Sequence, residues 1–319
     1  MVGATLLPFP APSDGGVTAG GDRRTMERLG ETELGRLAVR YVSDRRKAGQ
    51  ITKLTADANY RHLRSFVESF GHRPLKQLGH AAVQRWLEGM EKHGYAAATR
   101  SVHLSTLRGF AKWCVLHRHA RTDWTIHAPK IRRSRQVPRD LTTDHFDTLL
   151  ASADLRAQAT IWLMFGSGLR CVEVARLQVD DLDRASGFLF VTGKGGHQGF
   201  VPAPAPVIAA IDAYLRDGGW STGQLIRPSS GANRALSPSR VSHIACDLMS
   251  AAGVKIRRGD GRSAHGLRAA AASELYDSCR DPRIVQQFLR HQHLQTTSIY
   301  LRRAEQEQVR EAVERRFAA

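Results

Sequence analysis

The sequence predicts a mainly α-helical protein in two parts: an N-terminal helical bundle, then a mostly helical domain interrupted by a small β-hairpin. Three observations lead there. Apolar residues recur at helical spacing in four segments between residues 31 and 129. A basic, proline-containing stretch follows at 130–139, with the composition of an extended linker. Beyond it, two short runs of aromatic and β-branched residues, 188–192 and 200–201, flank a glycine-rich turn within otherwise helical sequence. A chain of 319 residues with 42% apolar side chains can bury a core in each part.

Taken in order, residues 1–30 are rich in Gly, Pro, Ser and Thr and are expected to form a flexible tail. The first helix carries Leu34, Leu37, Ala38, Tyr41 and Val42. The second carries Leu63, Phe66, Val67 and Phe70, with Thr55 expected as its cap and Gly71 as its end. The third buries Val83, Trp86, Leu87 and Met90; the fourth, after Thr99, buries Leu107, Phe110, Ala111 and Cys114. Each set falls on one helix face, and packing against the other three is its simplest use. The linker holds Lys130, Arg132, Arg133, Arg135 and Arg139 and no acid. A free linker of this composition is more often just solvated, but one that joined two domains bound to a polyanion would lie along phosphates, and that contact is expected here. Thr142 or Thr143 then opens a helix with Phe146, Leu149 and Leu150, and 157–165 forms another that ends at Gly166-Ser-Gly168.

Charge indicates the partner. Forty-seven Lys and Arg against 30 Asp and Glu leave a net +17, which favours a polyanion through phosphate contacts and counterion release. Seventeen of the basic residues and only five acidic ones lie between 51 and 139, which suggests a binding face there. The four cysteines make no C-x-x-C pair, so neither a zinc site nor a disulfide framework is indicated. The longest uncharged run, 195–211, is broken by prolines, and the start lacks a signal peptide's pattern. A cytoplasmic protein, with the nucleoid when bound to DNA and with no membrane partner, is expected.

Three segments carry chemistry. Gly168-Leu-Arg-Cys-Val-Glu173 puts Arg170 near a helix start with Glu173 one turn along. His265-Gly-Leu-Arg268 puts an imidazole and a guanidinium on one helix face, where both can converge on one ligand. In Leu289-Arg-His291-Gln-His-Leu-Gln-Thr-Thr-Ser-Ile-Tyr300, the histidine stands nine residues before the tyrosine. Singly, each is better explained by an ion pair, a helix cap or a buried ring. Their order and spacing together are the signal.

This set resembles the tyrosine recombinase (phage integrase) family, whose catalytic domain carries an arginine in G-L-R-x-x-E, a hairpin lysine, H-x-L-R and G-H-x-x-x-x-T-T-x-x-Y. The likeness runs from residue 141 to 302, and the stretch 99–110 looks like the last helices of the family's SAM-like core-binding domain. The resemblance implies a core-binding domain at 31–129, the basic linker, and a catalytic domain with a tail helix at 140–319. It places the phosphate-clamping arginines at Arg170 and Arg268, the hairpin lysine at Lys194, two further site residues at His265 and His291, and the nucleophile at Tyr300. Glu173 is read as structural support for Arg170.

These residue types suit the reaction. Phosphodiester transfer builds negative charge on the non-bridging oxygens, and bidentate guanidiniums match it in geometry and sign. No metal or other cofactor is then required. His265 is the candidate acid/base for the tyrosine hydroxyl, His291 a phosphate hydrogen bonder, and Lys194 the proton donor to the leaving 5′ oxygen. The family's reaction makes a 3′-phosphotyrosyl link and exchanges strands through a Holliday junction in a homo-tetramer. It also implies that the tail helix, with Val309, Val313 and Phe317 on one face, is donated to a neighbouring protomer, the alternative being that it packs back on its own domain.

The rivals are a type IB topoisomerase-like relaxing enzyme and a catalytically idle DNA-binding protein on the same scaffold. Three features depart from the family pattern. Arg290 replaces the glycine before the third-motif histidine and is expected to contact DNA or point outward. Ala269 and Ala270 replace a histidine and a hydroxyl residue, and Gln198-Gly199 replaces a charged pair. The 1–30 tail is shorter than the arm-binding domain of some integrases, which suggests the simpler two-domain architecture.

Overall fold

The computed structural model describes residues 27–132, 141–193, 196–257, 260, 262–292, 313, 314 and 316. The chain divides into two compact units, Met1–Arg135 and Gln136–Ala319.

The first unit contains helices α1 (Glu33–Lys47), α2 (Lys53–Phe70), α3 (His80–Lys92) and α4 (Ala97–Leu116). Thr32 caps α1, its hydroxyl accepting the Gly35 N–H at 3.0 Å. The cap of α2 is Thr52 rather than the expected Thr55: Thr55 supplies the N–H that Thr52 Oγ1 accepts at 3.2 Å. Of two hydroxyls three residues apart, the earlier one reaches the orphan N–H of the first turn. The start of α4 likewise lies before Thr99, at Ala97.

All the predicted stripes are buried except Leu37, which is half-buried at the edge of the core. Trp86 is 0% exposed; its ring meets Phe66 edge-on at 5.4 Å and its Nε1 donates to Ser65 Oγ at 3.1 Å. The one polar atom of this large side chain is therefore satisfied inside the bundle. Cys114 lies in the same core, and burial pushes its thiol up to about 12. All four cysteines are free thiols.

The second unit contains α5 (Thr143–Ser152), α6 (Leu155–Phe165), α7 (Cys171–Val174), strands β1 (Leu182–Asp183), β2 (Phe188–Thr192) and β3 (Gln198–Pro202), then α8 (Ala205–Gly218), α9 (Pro238–Ala251), α10 (Ala264–Cys279) and α11 (Pro282–Phe288). Thr142 caps α5, and Asp154 caps α6 by accepting the Ala157 N–H at 2.7 Å. The core sits around α6, which is buried on nearly every side and has α8, α9 and α10 packed against it. Pro206 lies in the first turn of α8, where a missing N–H costs nothing.

The antiparallel sheet runs β1-β2-β3 and pairs Leu182 with Leu189 and Leu189 with Val201. Period-two alternation puts Leu189, Val191 and Val201 in the core and leaves Phe188 and Phe200 exposed. The predicted hairpin gains β1, two residues long and too short to show alternation. Asp183 turns the chain after β1 by accepting the Ala185 and Ser186 N–H groups. The architecture is mainly α with a small sheet, as predicted, and no described helix is long and apolar enough to cross a membrane.

Trp86→Ala is expected to cost about 3–5 kcal/mol in urea unfolding, because it leaves a cavity and a stranded Ser65 hydroxyl. Leu116→Ala, at a position 78% exposed, should change stability by less than about 0.5 kcal/mol. Equal losses in the two variants would refute this account of the bundle core.

Candidate active site

The site begins where α6 ends. The chain turns through Gly166, Ser167 and Gly168; Gly168 has φ +60°, and a Cβ there would stand 2.7 Å from the Phe288 ring. Glycine alone meets both demands. The turn delivers Arg170 as the extended cap residue of α7, at φ −81° and ψ 154°. Its backbone N–H donates to Glu173 Oε2 at 2.7 Å and its Nη1 to Oε1 at 2.9 Å. The Glu173 side chain is fully buried, whereas that of Arg170 is 36% exposed.

Helix α10 brings the second segment. His265 lies in its first turn, and Arg268 follows one turn later on the same face. The Arg268 guanidinium is buried: Nη1 donates to the Gly168 carbonyl, Nη2 to that of Leu289, and Nη1 lies 3.9 Å from Glu173 Oε2. Arg268 Nη2 also reaches His291 Nε2 at 3.4 Å. The His291 backbone is clipped to the end of α11, its N–H donating to the Gln286 carbonyl at 3.0 Å while Gln286 Nε2 donates to the His291 carbonyl at 2.9 Å.

Arg290 corrects an expectation. It turns inward, and its Nη2 donates to Glu173 Oε2 at 2.7 Å. One buried carboxylate thus gathers three guanidiniums, and the cluster keeps an excess of positive charge suited to an anion. Burial alone would raise the Glu173 pKa; the Arg170 N–H and the charges of Arg290, Arg170 and Arg268 outweigh it and hold the carboxyl below its ordinary 4.5. His265 is lowered from the usual imidazole value by desolvation, then by Arg268 and Arg170. His291 falls to about 4 through desolvation, then Arg268, Arg170, His265 and Arg290. Both imidazoles are therefore neutral near pH 7, able to accept a proton or donate one hydrogen bond.

Of the residues singled out in the sequence, Arg170, Glu173, Arg268 and His291 come into direct contact, and His265 lies within electrostatic range of both arginines. Lys194 and Tyr300 lie outside the described residues, as do Arg133 and Arg135 of the linker. Lys130 and Arg132 are exposed. The base of the hairpin is fixed nonetheless: Gly193 N–H donates to the His197 carbonyl at 2.7 Å, and Arg176 Nη1 donates to the Gly193 carbonyl at 3.1 Å. A Cβ on Gly193 would stand 3.4 Å from Glu173 Oε1, so the residue before Lys194 adjoins the carboxylate. The sequence carried no signal for Arg176. For Arg290 it carried one, a large cation in a glycine's place.

Glu173→Gln should destabilise the protein by about 3–5 kcal/mol at neutral pH, because three cations lose their shared counter-charge. The folded carboxyl titrates below its unfolded value, so its stabilisation is complete above about pH 4.5 and is lost as the pH falls through the folded pKa. Melting temperature against pH should therefore fall less steeply on the acid side for the Gln variant than for wild type. Parallel curves would show that Glu173 is not the acid-sensitive group.

The sequence matches the phage integrase family over residues 139–307 and the phage integrase N-terminal SAM-like domain over 38–117. It is 30% identical over 263 residues to tyrosine recombinase XerC of Xanthomonas campestris pv. campestris (strain B100), spanning 79% of each chain. In fold it is similar to a lambda integrase (75-356) dimer bound to a COC′ core site, with a TM-score of 0.71 at 20% identity over 84% of this chain and 94% of that one. It is also similar to a lambda integrase tetramer bound to a Holliday junction, with a TM-score of 0.68 at 20% identity over 88% of this chain and 83% of that one. The catalytic-domain match alone takes in more than half of the chain, and on this ground the protein belongs to the phage integrase family of tyrosine recombinases.

Proposed function

We propose that this protein is a site-specific recombinase that cuts and rejoins double-stranded DNA through a covalent bond to Tyr300. The observation that carries the reading is the convergence of Arg170 and Arg268 on the buried carboxylate of Glu173, with His291 set against Arg268. Arg170, the more open of the first two arginines, meets the non-bridging oxygens of the scissile phosphate, and Arg268 adds positive charge beside it. The Tyr300 oxygen attacks phosphorus as its proton passes to the neutral imidazole of His265. The bond from phosphorus to the 5′ oxygen breaks, and Lys194 supplies the proton to that oxygen. The products are a 3′-phosphotyrosyl link and a free 5′-hydroxyl. Attack by a 5′-hydroxyl of the partner duplex reverses these steps and restores the tyrosine. His291 hydrogen-bonds the phosphate, and the guanidiniums do the work that a divalent ion does elsewhere.

Four protomers exchange strands pairwise through a Holliday junction, the setting in which the lambda integrase tetramer is found. The exposed cations Lys130 and Arg132 lie along phosphates, together with Arg133 and Arg135. The tail helix docks on a neighbour through Val309, Val313 and Phe317. Val313 is 49% exposed, as a residue awaiting a partner would be, while Val309 and Phe317 lie outside the described residues.

Tyr300→Phe should bind its DNA site within about threefold of wild type yet form no covalent adduct on a nicked substrate, since the ring remains and the attacking oxygen is gone. EDTA should leave wild-type adduct formation unchanged. An adduct with the Phe variant would end the assignment of the nucleophile.

Deleting 305–319 should preserve binding to one site and abolish synapsis of two, because burying about three apolar side chains is worth several kcal/mol per interface. Normal synapsis by the truncated protein, or its unfolding in a thermal melt, would mean that the tail packs on its own domain.

A further inference from the structure

Arg290 has an unusual backbone for its side chain. Its φ of +50° lies in the left-handed region, where a side chain is strained and glycine is not. Two other arginines take similar angles, Arg118 at φ 59° and Arg280 at φ 54°, and both are exposed. Arg290 alone of the three turns inward, with its side chain 21% exposed and its Nη2 2.7 Å from Glu173 Oε2. Its other terminal nitrogen, Nη1, is buried without a hydrogen-bond partner among the described residues. The strain is thus kept at a position where glycine would remove it, and what is gained is a third guanidinium on one carboxylate.

We propose that Arg290 is a positioning residue of the phosphate site: it shares the neutralisation of Glu173, so that Arg170 and Arg268 are drawn less to that carboxylate and act more on the scissile phosphate. The inference rests on the recombinase reading above. Its physical basis is competition. Without Arg290, the buried carboxylate is offset by Arg170 and Arg268 alone, and each holds it more tightly. Arg290 also adds positive charge next to His291, which already faces Arg268 and His265 from α10 and Arg170 from the start of α7, with Glu173 the single anion of the cluster among the described residues.

Three substitutions separate charge from backbone. Arg290→Gly removes the charge and relaxes the backbone; Arg290→Met removes the charge and keeps the length and the strain; Arg290→Lys keeps the charge. In single-turnover cleavage, Gly and Met should each be slower by about tenfold, the effect of one charge-assisted hydrogen bond, while Lys stays within about threefold of wild type. Affinity for the site should change by less than about twofold, because phosphate contacts elsewhere dominate it. The Gly variant should melt no lower than wild type.

The second readout needs no DNA. The His291 resonance, followed by NMR on histidine-labelled protein, should titrate at higher pH in the Gly and Met variants and near the wild-type value in Lys. The proposal is overturned by wild-type cleavage rates in Gly and Met, by Lys as slow as Met, by an unmoved His291 titration, or by a Gly variant that melts well below wild type. That last result would make Arg290 a structural strut. A wild-type protein that forms no covalent adduct would instead defeat the recombinase reading, while the histidine titration would still test Arg290 by itself.

Discussion

The second unit depends on one fully buried carboxylate. An isolated carboxylate in that position would cost several kcal/mol, and Glu173 is tolerated because three guanidiniums and a backbone N–H converge on it. The partners come from far apart in the chain: the start of α7, the second turn of α10 and the turn after α11. Arg170 and Arg268 thereby tie the start of α7 to α10, and Arg268, through the Leu289 carbonyl, ties in the end of α11. Those same elements carry Arg170, Arg268 and His291, the side chains that the proposed reaction brings to the phosphate. The ion cluster is at once a structural rivet and, in the proposed reaction, the back wall of the site, so that the precision of that chemistry would come from a demand of folding.

The surroundings of the cluster reinforce it. Arg268 donates to the carbonyls of Gly168 and Leu289, which joins the turn after α6 to the end of α11. Gly168 lies so close to Phe288 that no side chain fits between them. Arg176 holds the base of the hairpin through Gly193. Polar atoms removed from water in this way need their hydrogen bonds, and each bond draws another segment towards Glu173. Excess positive charge survives in the middle of the unit because backbone carbonyls share it with the carboxylate.

Much of this was legible in the residues. Helical periodicity gave the bundle: Leu63, Phe66, Val83, Trp86, Leu107 and Phe110 are all buried as their spacing required. The order of the three motifs identified Arg170, Arg268 and His291 as neighbours although they are dispersed along the chain. What periodicity cannot supply is direction in a turn, and for that reason the inward course of Arg290 was not foreseen. Nor does it resolve which of two threonines caps α2, since both can accept an N–H and local geometry selects Thr52. Strand β1 escaped because two residues carry no alternation, and Arg176 because an arginine that binds a carbonyl looks like any surface arginine until the chain is folded.

The sequence separation within the cluster bears on how the protein is made. Arg268 bonds a carbonyl 100 residues before it, and Arg290 pairs with a carboxylate 117 residues before it. Contacts this distant form late, after the loop between them has closed. As the chain leaves the ribosome, α6 and the Arg170 turn emerge well before α10 and the residue-290 turn that complete the ion cluster. Until then Glu173 must remain in water, and the arginine cluster does not exist. A half-made chain consequently carries the helical bundle without an assembled ion cluster, which is completed only after residue 290 has been made.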